Sequence, residues 1–230
     1  MKNIIVLLAI SLIVMTGTSC SDSREIPGQD IHAEAIPLQE ATIQTGGMDE
    51  WMSRRRSVRD YADVPATMEG MARLLWAAQG VTSEQGYRTI PSAGALHPLV
   101  LYVAAIRVEG LEPGIYRYDP GAHSLLPIRE GDFRSDIARE ALNQDFIRKA
   151  PATILISAAY ETTTSRYGER GIRYVHMEAG HASQNIYLMA ESMGWGTVAV
   201  GAFNDEGIKG VFMMSEKEIP LYLMPAGIKP

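Results

Sequence analysis

The chain has 230 residues, 46% of them hydrophobic and 21% charged; with a mean hydropathy close to zero this is the profile of an ordinary folded domain, and it excludes a disordered, collagen-like or multi-span membrane protein. Lys and Arg number 21 against 27 Asp and Glu, a formal charge of -6, which excludes a general nucleic-acid binder that depends on phosphate neutralisation. The single cysteine, Cys20, rules out an internal disulfide framework and zinc sites built on paired Cys-x-x-Cys units.

Lys2 and the apolar run Ile4 to Val14, followed by Thr16, Gly17, Thr18 and Ser19, read as a secretory signal too short to span a bilayer comfortably. Cys20 falls where the small residues meet a polar stretch, as in bacterial lipoprotein signals. Residues 1–20 are therefore expected to be an export signal with Cys20 acylated, and the protein to be anchored to a membrane facing the periplasm or cell exterior; the alternative is ordinary signal cleavage with Cys20 an incidental thiol. Residues 21–47 mix Pro, Gly and charge without a period and read as a flexible tether. The folded domain is expected over 48–230.

Within it, Thr67 caps a predicted helix through Gln79, with Met68, Met71, Leu74, Leu75 and Ala78 on one face and Gly80 as the stop. TIPSAGALHP (89–98) is a loop, and Leu99 to Ile106 a buried strand. Residues 115–118 and 124–128 form a hairpin. A helix runs from Asp132 to Asn143 and a central strand from Thr153 to Ala159. Ile172, Val175, Ala179, Ala182, Ile186, Met189 and Met193 recur at alternating spacings of three and four, which predicts a long helix packed against another helix. Gly180, mid-helix, points to a close neighbour. A strand TVAV (197–200), a short helix from Asn204 or Asp205 and a last strand, Pro220 to Met224, complete the chain. Helices and strands do not alternate regularly, so the class is α+β.

Three segments suggest a ligand. In an extended SRRRSVR (53–59), Arg55, Ser57 and Arg59 share a face and offer forked donors to a phosphate; a solvated basic edge has the same composition. The small residues of PSAGALHP (91–98) let backbone approach a flat ligand, or simply turn. In VGAFNDE (200–206), Gly201 sits between a strand end and a helix start, where backbone N–H groups can serve an acceptor. His176 and His181 are five apart, about 140° around a helix, so with Glu178 they make polar packing contacts and no metal site. No phosphate-binding G-x-x-x-x-G-K-[ST], no strand-to-helix dinucleotide turn and no G-x-S-x-G nucleophile occurs. For a chain with binding features and no reactive side chain, a borrowed cofactor is one source of chemistry.

RRSVRDY (55–61), PSAGALHP, GAFNDE (201–206) and PLYLMPAG (220–227) resemble the motifs of the nitroreductase family of FMN enzymes, over about Met52 to Gly227. SAGALHPLVLYV, EGLEPGIYRYDP and GIRYVHMEAGHASQNIYLMAESMGWG are similar to the SagB/ThcOx-type dehydrogenase branch. The resemblance implies a nitroreductase-like α+β fold with a central mixed or antiparallel sheet, and a homodimer joined largely by the long helix, with FMN at the subunit interface. It implies that Arg55, Arg56, Ser57 and Arg59 hold the FMN phosphate and ribityl chain. Pro91, Ser92, Ala93, Gly94 and Ala95 would approach the ring from the partner subunit, while Val200, Gly201 and Ala202 line it and the Gly201 amide donates to flavin N5. It further implies ping-pong transfer from a reduced donor, typically NAD(P)H, to a small electrophile such as a nitroaromatic or quinone. The alternatives are dehydrogenation of a peptide azoline and a non-catalytic flavin-binding lipoprotein.

The chain departs from these relatives at three places. Ala95 replaces a common Asn, Lys229 is the one candidate for the basic residues that follow the last strand, and Arg166-Tyr167 stands where azoline-oxidising members carry Lys-Tyr.

Overall fold

A computed structural model describes residues 44–230; the signal, Cys20 and most of the tether lie outside the described residues. The framework is a six-stranded sheet in the order β3-β2-β1-β4-β6-β5, formed by β1 Leu99–Ala105, β2 Gly114–Asp119, β3 Ser124–Glu130, β4 Ala152–Ala159, β5 Trp195–Thr197 and β6 Glu218–Ile228. Every pairing is antiparallel. Leu101, Val103 and Ala105 of β1 face one layer of helices, and Tyr102 and Ala104 face the other, so the period-2 pattern feeds two separate cores. One layer holds α2 Met68–Gln79 and α6 Arg170–Ser192; the other holds α3 Arg134–Glu140, α4 Asp145–Lys149 and α7 Asp205–Phe212. Two further helices, α1 Met48–Arg54 and α5 Glu161–Tyr167, pack beside α6.

Most predicted elements sit where the residue pattern puts them. Thr67 caps α2, its hydroxyl oxygen accepting the Gly70 N–H at 3.1 Å. The α6 seam is buried at Val175, Ala179, Ala182 and Ile186, and packs on α2. Ile172, at its predicted start, is exposed. No described atom lies within 4 Å of a side chain built at Gly180, so the close neighbour expected there is not found within the described chain.

Three boundaries differ, and helix α5 is additional. The helix predicted over 132–143 ends at Glu140, because Leu142 and Asn143 adopt left-handed φ of 57° and 59°, and the chain restarts as α4. Helix α5, a short polar stretch, carries no apolar period to announce it. Strand β5 lies two residues earlier than TVAV: buried Trp195 packs under Gly70 of α2, where any side chain would meet its ring, and Val200 rejoins the sheet only by a bridge to Leu223. The last strand reaches Ile228 despite Pro225, whose carbonyl accepts from the hydroxyls of Tyr61 and Thr197.

Candidate active site

After α1 the chain runs extended along the β5 edge, with the Val58 N–H donating to the Thr197 carbonyl and the Ala62 N–H to that of Ile228, each at 2.9 Å. Two features hold it flat. Gly196 makes room for Val58, whose Cβ would lie 2.7 Å from a side-chain carbon at that position. The buried Tyr61 hydroxyl donates to the carbonyls of Val58 and Pro225, and burial pushes this phenol well above its ordinary range.

Tyr187 of α6 gathers the candidate anion site. Its hydroxyl lies 3.0 Å from Ser57 Oγ and accepts the Ala199 N–H at 2.8 Å, while the Arg55 guanidinium sits over its ring, 5.1 Å from the centroid. One side chain thus joins the arginine segment to the chain that leads from β5 into Val200 and Gly201. Arg59 rests over the Phe146 ring of α4 at 5.6 Å. Arg56 turns away, donating to the carbonyls of Ser53 and Arg55 at the end of α1. Among the described residues neither Arg55 nor Arg59 forms a salt bridge, whereas Arg54 pairs with Glu50 and with Glu191. Arg55 and Ser57 thus meet on Tyr187, whereas Arg59 is supported from α4, in the other helix layer; a guanidinium and a hydroxyl with no carboxylate on them among the described residues fit one end of a phosphate dianion. Lys229 does not join them: its ammonium is held 2.6 Å from the buried carboxylate of Glu191.

Beyond Tyr187, Val200 is buried and exchanges both backbone hydrogen bonds with Leu223, at 2.8 and 2.9 Å. Gly201 and Ala202 are exposed. A side chain at Gly201 would lie no closer than 3.7 Å to Tyr222, so the protomer's own packing does not demand a glycine here. Leaving that position bare keeps the backbone open to a flat ligand.

The 91–95 loop lies further along α6. Glu178, 3% exposed, accepts the Ser92 hydroxyl at 3.0 Å and the Ala93 N–H at 2.9 Å through Oε1, and Ser92 Oγ accepts the His97 N–H at 2.8 Å. Gly94, Ala95 and His97 take left-handed φ of 61°, 55° and 50°. Pro91, Gly94 and Ala95 present the exposed surface of the loop. The Tyr167 hydroxyl and Arg166 guanidinium stand over Gly94, 2.7 and 2.9 Å from where a side chain would start. Glu178 and Tyr187 are roughly 13 Å apart along the helix axis, so in one protomer the loop and the arginine segment occupy separate stretches of α6. His176 points elsewhere, its Nε2 2.6 Å from the Tyr160 hydroxyl, and His181 is exposed.

Sequence reasoning did not single out Tyr187, Phe146 or Arg88. Tyr187 follows a seam residue, Ile186, and nothing in its spacing distinguishes it from a packing residue. Phe146 belongs to a helix that was not anticipated. Arg88, half-buried with its pKa lowered by burial, donates to Gln79 beneath the loop.

A family model described as the Nitroreductase family matches residues 52–228. MJ1384, a protein of Methanocaldococcus jannaschii that carries the name nitroreductase, is 46% identical over 196 residues, covering 85% of this chain and 98% of that one. A nitroreductase structure from Anabaena variabilis superposes with a TM-score of 0.71 at 30% identity, over 80% of this chain and 38% of that one, so this chain spans well under half of that relative. The E. coli microcin synthetase McbBCD complex with truncated pro-MccB17 bound shares the fold, with a TM-score of 0.72 at 18% identity over 97% of this chain and 85% of that one. With the family match covering nearly the whole described domain, the chain belongs to the nitroreductase family of oxidoreductases.

Proposed function

We propose that this chain is an FMN-dependent oxidoreductase that works as a homodimer, taking reducing equivalents from a reduced donor such as NAD(P)H and passing them to a small electrophile such as a nitroaromatic or a quinone. The observation that carries the reading is the pair Arg55 and Ser57 on Tyr187, a cationic cradle without a carboxylate, tied by one hydroxyl to the turn at Ala199–Gly201. Bound FMN supplies hydride and electron transfer, which no side chain around the cradle can perform.

The protein's part is to bind, orient and exclude. Arg55 and Arg59 grip the phosphate through forked donors, with Ser57 adding a hydroxyl and Arg56 holding the segment's entry against α1. The aromatic faces of Tyr187 and Phe146 hold the two guanidinium groups in place, so little freedom is lost when the anion arrives. Val200 and Ala202 would line the ring, and the backbone N–H of exposed Gly201 would serve as a fixed donor to it. In a homodimer, Pro91 to Ala95 of a second copy would wall the opposite side. A single open face left by these walls would admit donor and acceptor in turn, the ping-pong order this reading expects.

A second reading is favoured by the fold shared with the McbBCD complex: dehydrogenation of a peptide azoline. Against it, Arg166 stands over the loop where a lysine would exchange a proton, and a guanidinium keeps its proton at every working pH. A third proposal concerns place: acylation of Cys20 would anchor the enzyme to a membrane, where a quinol or a protein redox partner is the more available donor. Substituting Arg55 and Arg59 with Ala tests the cradle. Loss of FMN on gel filtration, with affinity of the wild type falling as salt rises, is the expected result; unchanged retention removes the phosphate assignment.

A further inference from the structure

We propose that Glu178 is the positioning residue for the cofactor-facing loop: through Ser92 and the Ala93 amide it fixes Gly94 and Ala95 in the shape that meets the flavin ring. The inference rests on the reading that residues 91–95 wall the cofactor, and it assigns a task to a carboxyl that the chemistry does not otherwise use.

The loop is held in a conformation that it does not prefer. Gly94, Ala95 and His97 are all left-handed, and two of the three carry a side chain that this region disfavours. Such a shape persists only where the surroundings over-determine it. Two anchors do so. The His97 N–H donates to Ser92 Oγ and closes the loop on itself, and Ser92 Oγ–H and the Ala93 N–H both donate to Glu178 Oε1, tying the closed loop to α6. Ser92 is thereby fully engaged from beneath. It is an anchor of the wall, and the surface offered to a ligand is Pro91, Gly94 and Ala95.

Glu178 is an expensive residue to keep for a purely structural purpose. It is 3% exposed, forms no salt bridge among the described residues, and its Oε2 has no hydrogen-bond partner there. Burial raises its pKa, outweighing the hydrogen bonds from Ala93 and Ser92 and the more distant charges of His181 and Arg88, all of which favour the charged form. An apolar residue at this helix position would remove the buried oxygens altogether. What it would not provide is an acceptor that takes two donors from a loop on the far side of the packing face. Only Oε1 is needed for that task, so a glutamine can do it and an alanine cannot.

The test uses the full chain with added FMN and three variants, Glu178→Gln, Glu178→Ala and Ser92→Ala, each first checked for wild-type far-UV circular dichroism. Three quantities are read: the Kd for FMN by fluorescence quenching, the visible circular dichroism of the bound flavin, and hydrogen exchange at the Ala93 and His97 amides without FMN. Glu178→Gln is expected to keep all three. Glu178→Ala and Ser92→Ala are expected to weaken FMN by about tenfold, to change the sign or intensity of the flavin bands and to speed exchange at His97 or Ala93. Should Glu178→Ala fail to fold, Ser92→Ala, which deletes one hydroxyl from a surface loop, carries the test alone. Wild-type Kd, flavin bands and amide protection in the Ala variants overturn the proposal. A wild-type chain that takes up no FMN overturns the underlying reading as well, and is a separate, earlier result.

Discussion

Tyr187→Phe isolates the hydroxyl on which the candidate site is built. The ring stays beneath Arg55, so the cation–π contact at 5.1 Å survives, while the acceptor of the Ala199 N–H and the partner of Ser57 are both deleted. Ser57 is exposed and turns to water at little cost. Ala199 is half-buried, and an amide left without an acceptor there costs about 1–2 kcal/mol. For a domain of this size each kcal/mol lowers Tm by about 2–4 °C, so the variant should melt roughly 2–8 °C below wild type. Its affinity for FMN should fall by about tenfold, because Ser57 and the turn before Gly201 are no longer held in register with Arg55. Thermal melts without cofactor and a fluorescence titration with FMN measure the two effects separately. A Tyr187→Phe variant that melts within about 1 °C of wild type and binds FMN equally well would refute the claim that this hydroxyl couples the cradle to the turn.

Gly196→Ala should push the Val58 side chain, and with it the arginine segment, off β5, costing about 1–3 kcal/mol and FMN retention together; retention unchanged at lower stability would separate the segment's position from binding. The pKa of Glu178 is raised above the ordinary 4.5, so the native state holds a proton that the unfolded chain gives up first. This group's contribution is therefore complete below 4.5 and is lost as pH rises through its native pKa, and Tm of wild type relative to Glu178→Gln should decline across that window; a difference flat with pH counts against it. Cys20→Ser should move the protein from the detergent phase to the aqueous phase of a Triton X-114 partition, and an unmodified, aqueous wild type would dispose of the lipid anchor.

The fold was legible where one residue pattern decides one element. The α2 cap, the buried seam of α6 from Val175 to Ile186 and the runs of β1 and β4 depend on local periodicity, and they stand where that periodicity puts them. Boundaries set by tertiary contacts were not legible. Trp195 extends β5 where α2 offers Gly70 to receive it, and β6 runs through Pro225, whose carbonyl takes the hydroxyls of Tyr61 and Thr197. The same division holds for the site. Arg55, Ser57 and Gly201 could be nominated from composition and spacing, but Tyr187 lies 130 residues from Ser57 in the chain and joins it only through the fold. Lys229 illustrates the converse: its charge is visible in sequence, its commitment to Glu191 is not. Nor is it visible in sequence that the Ser92 hydroxyl donates to Glu178.

The central claim is that this chain borrows its reactivity from a flavin. The visible absorption spectrum of the protein purified after expression with added riboflavin tests it most directly. The account requires flavin bands that stay with the protein through gel filtration and bleach on addition of NAD(P)H or dithionite. A colourless protein that also refuses FMN on reconstitution would contradict it.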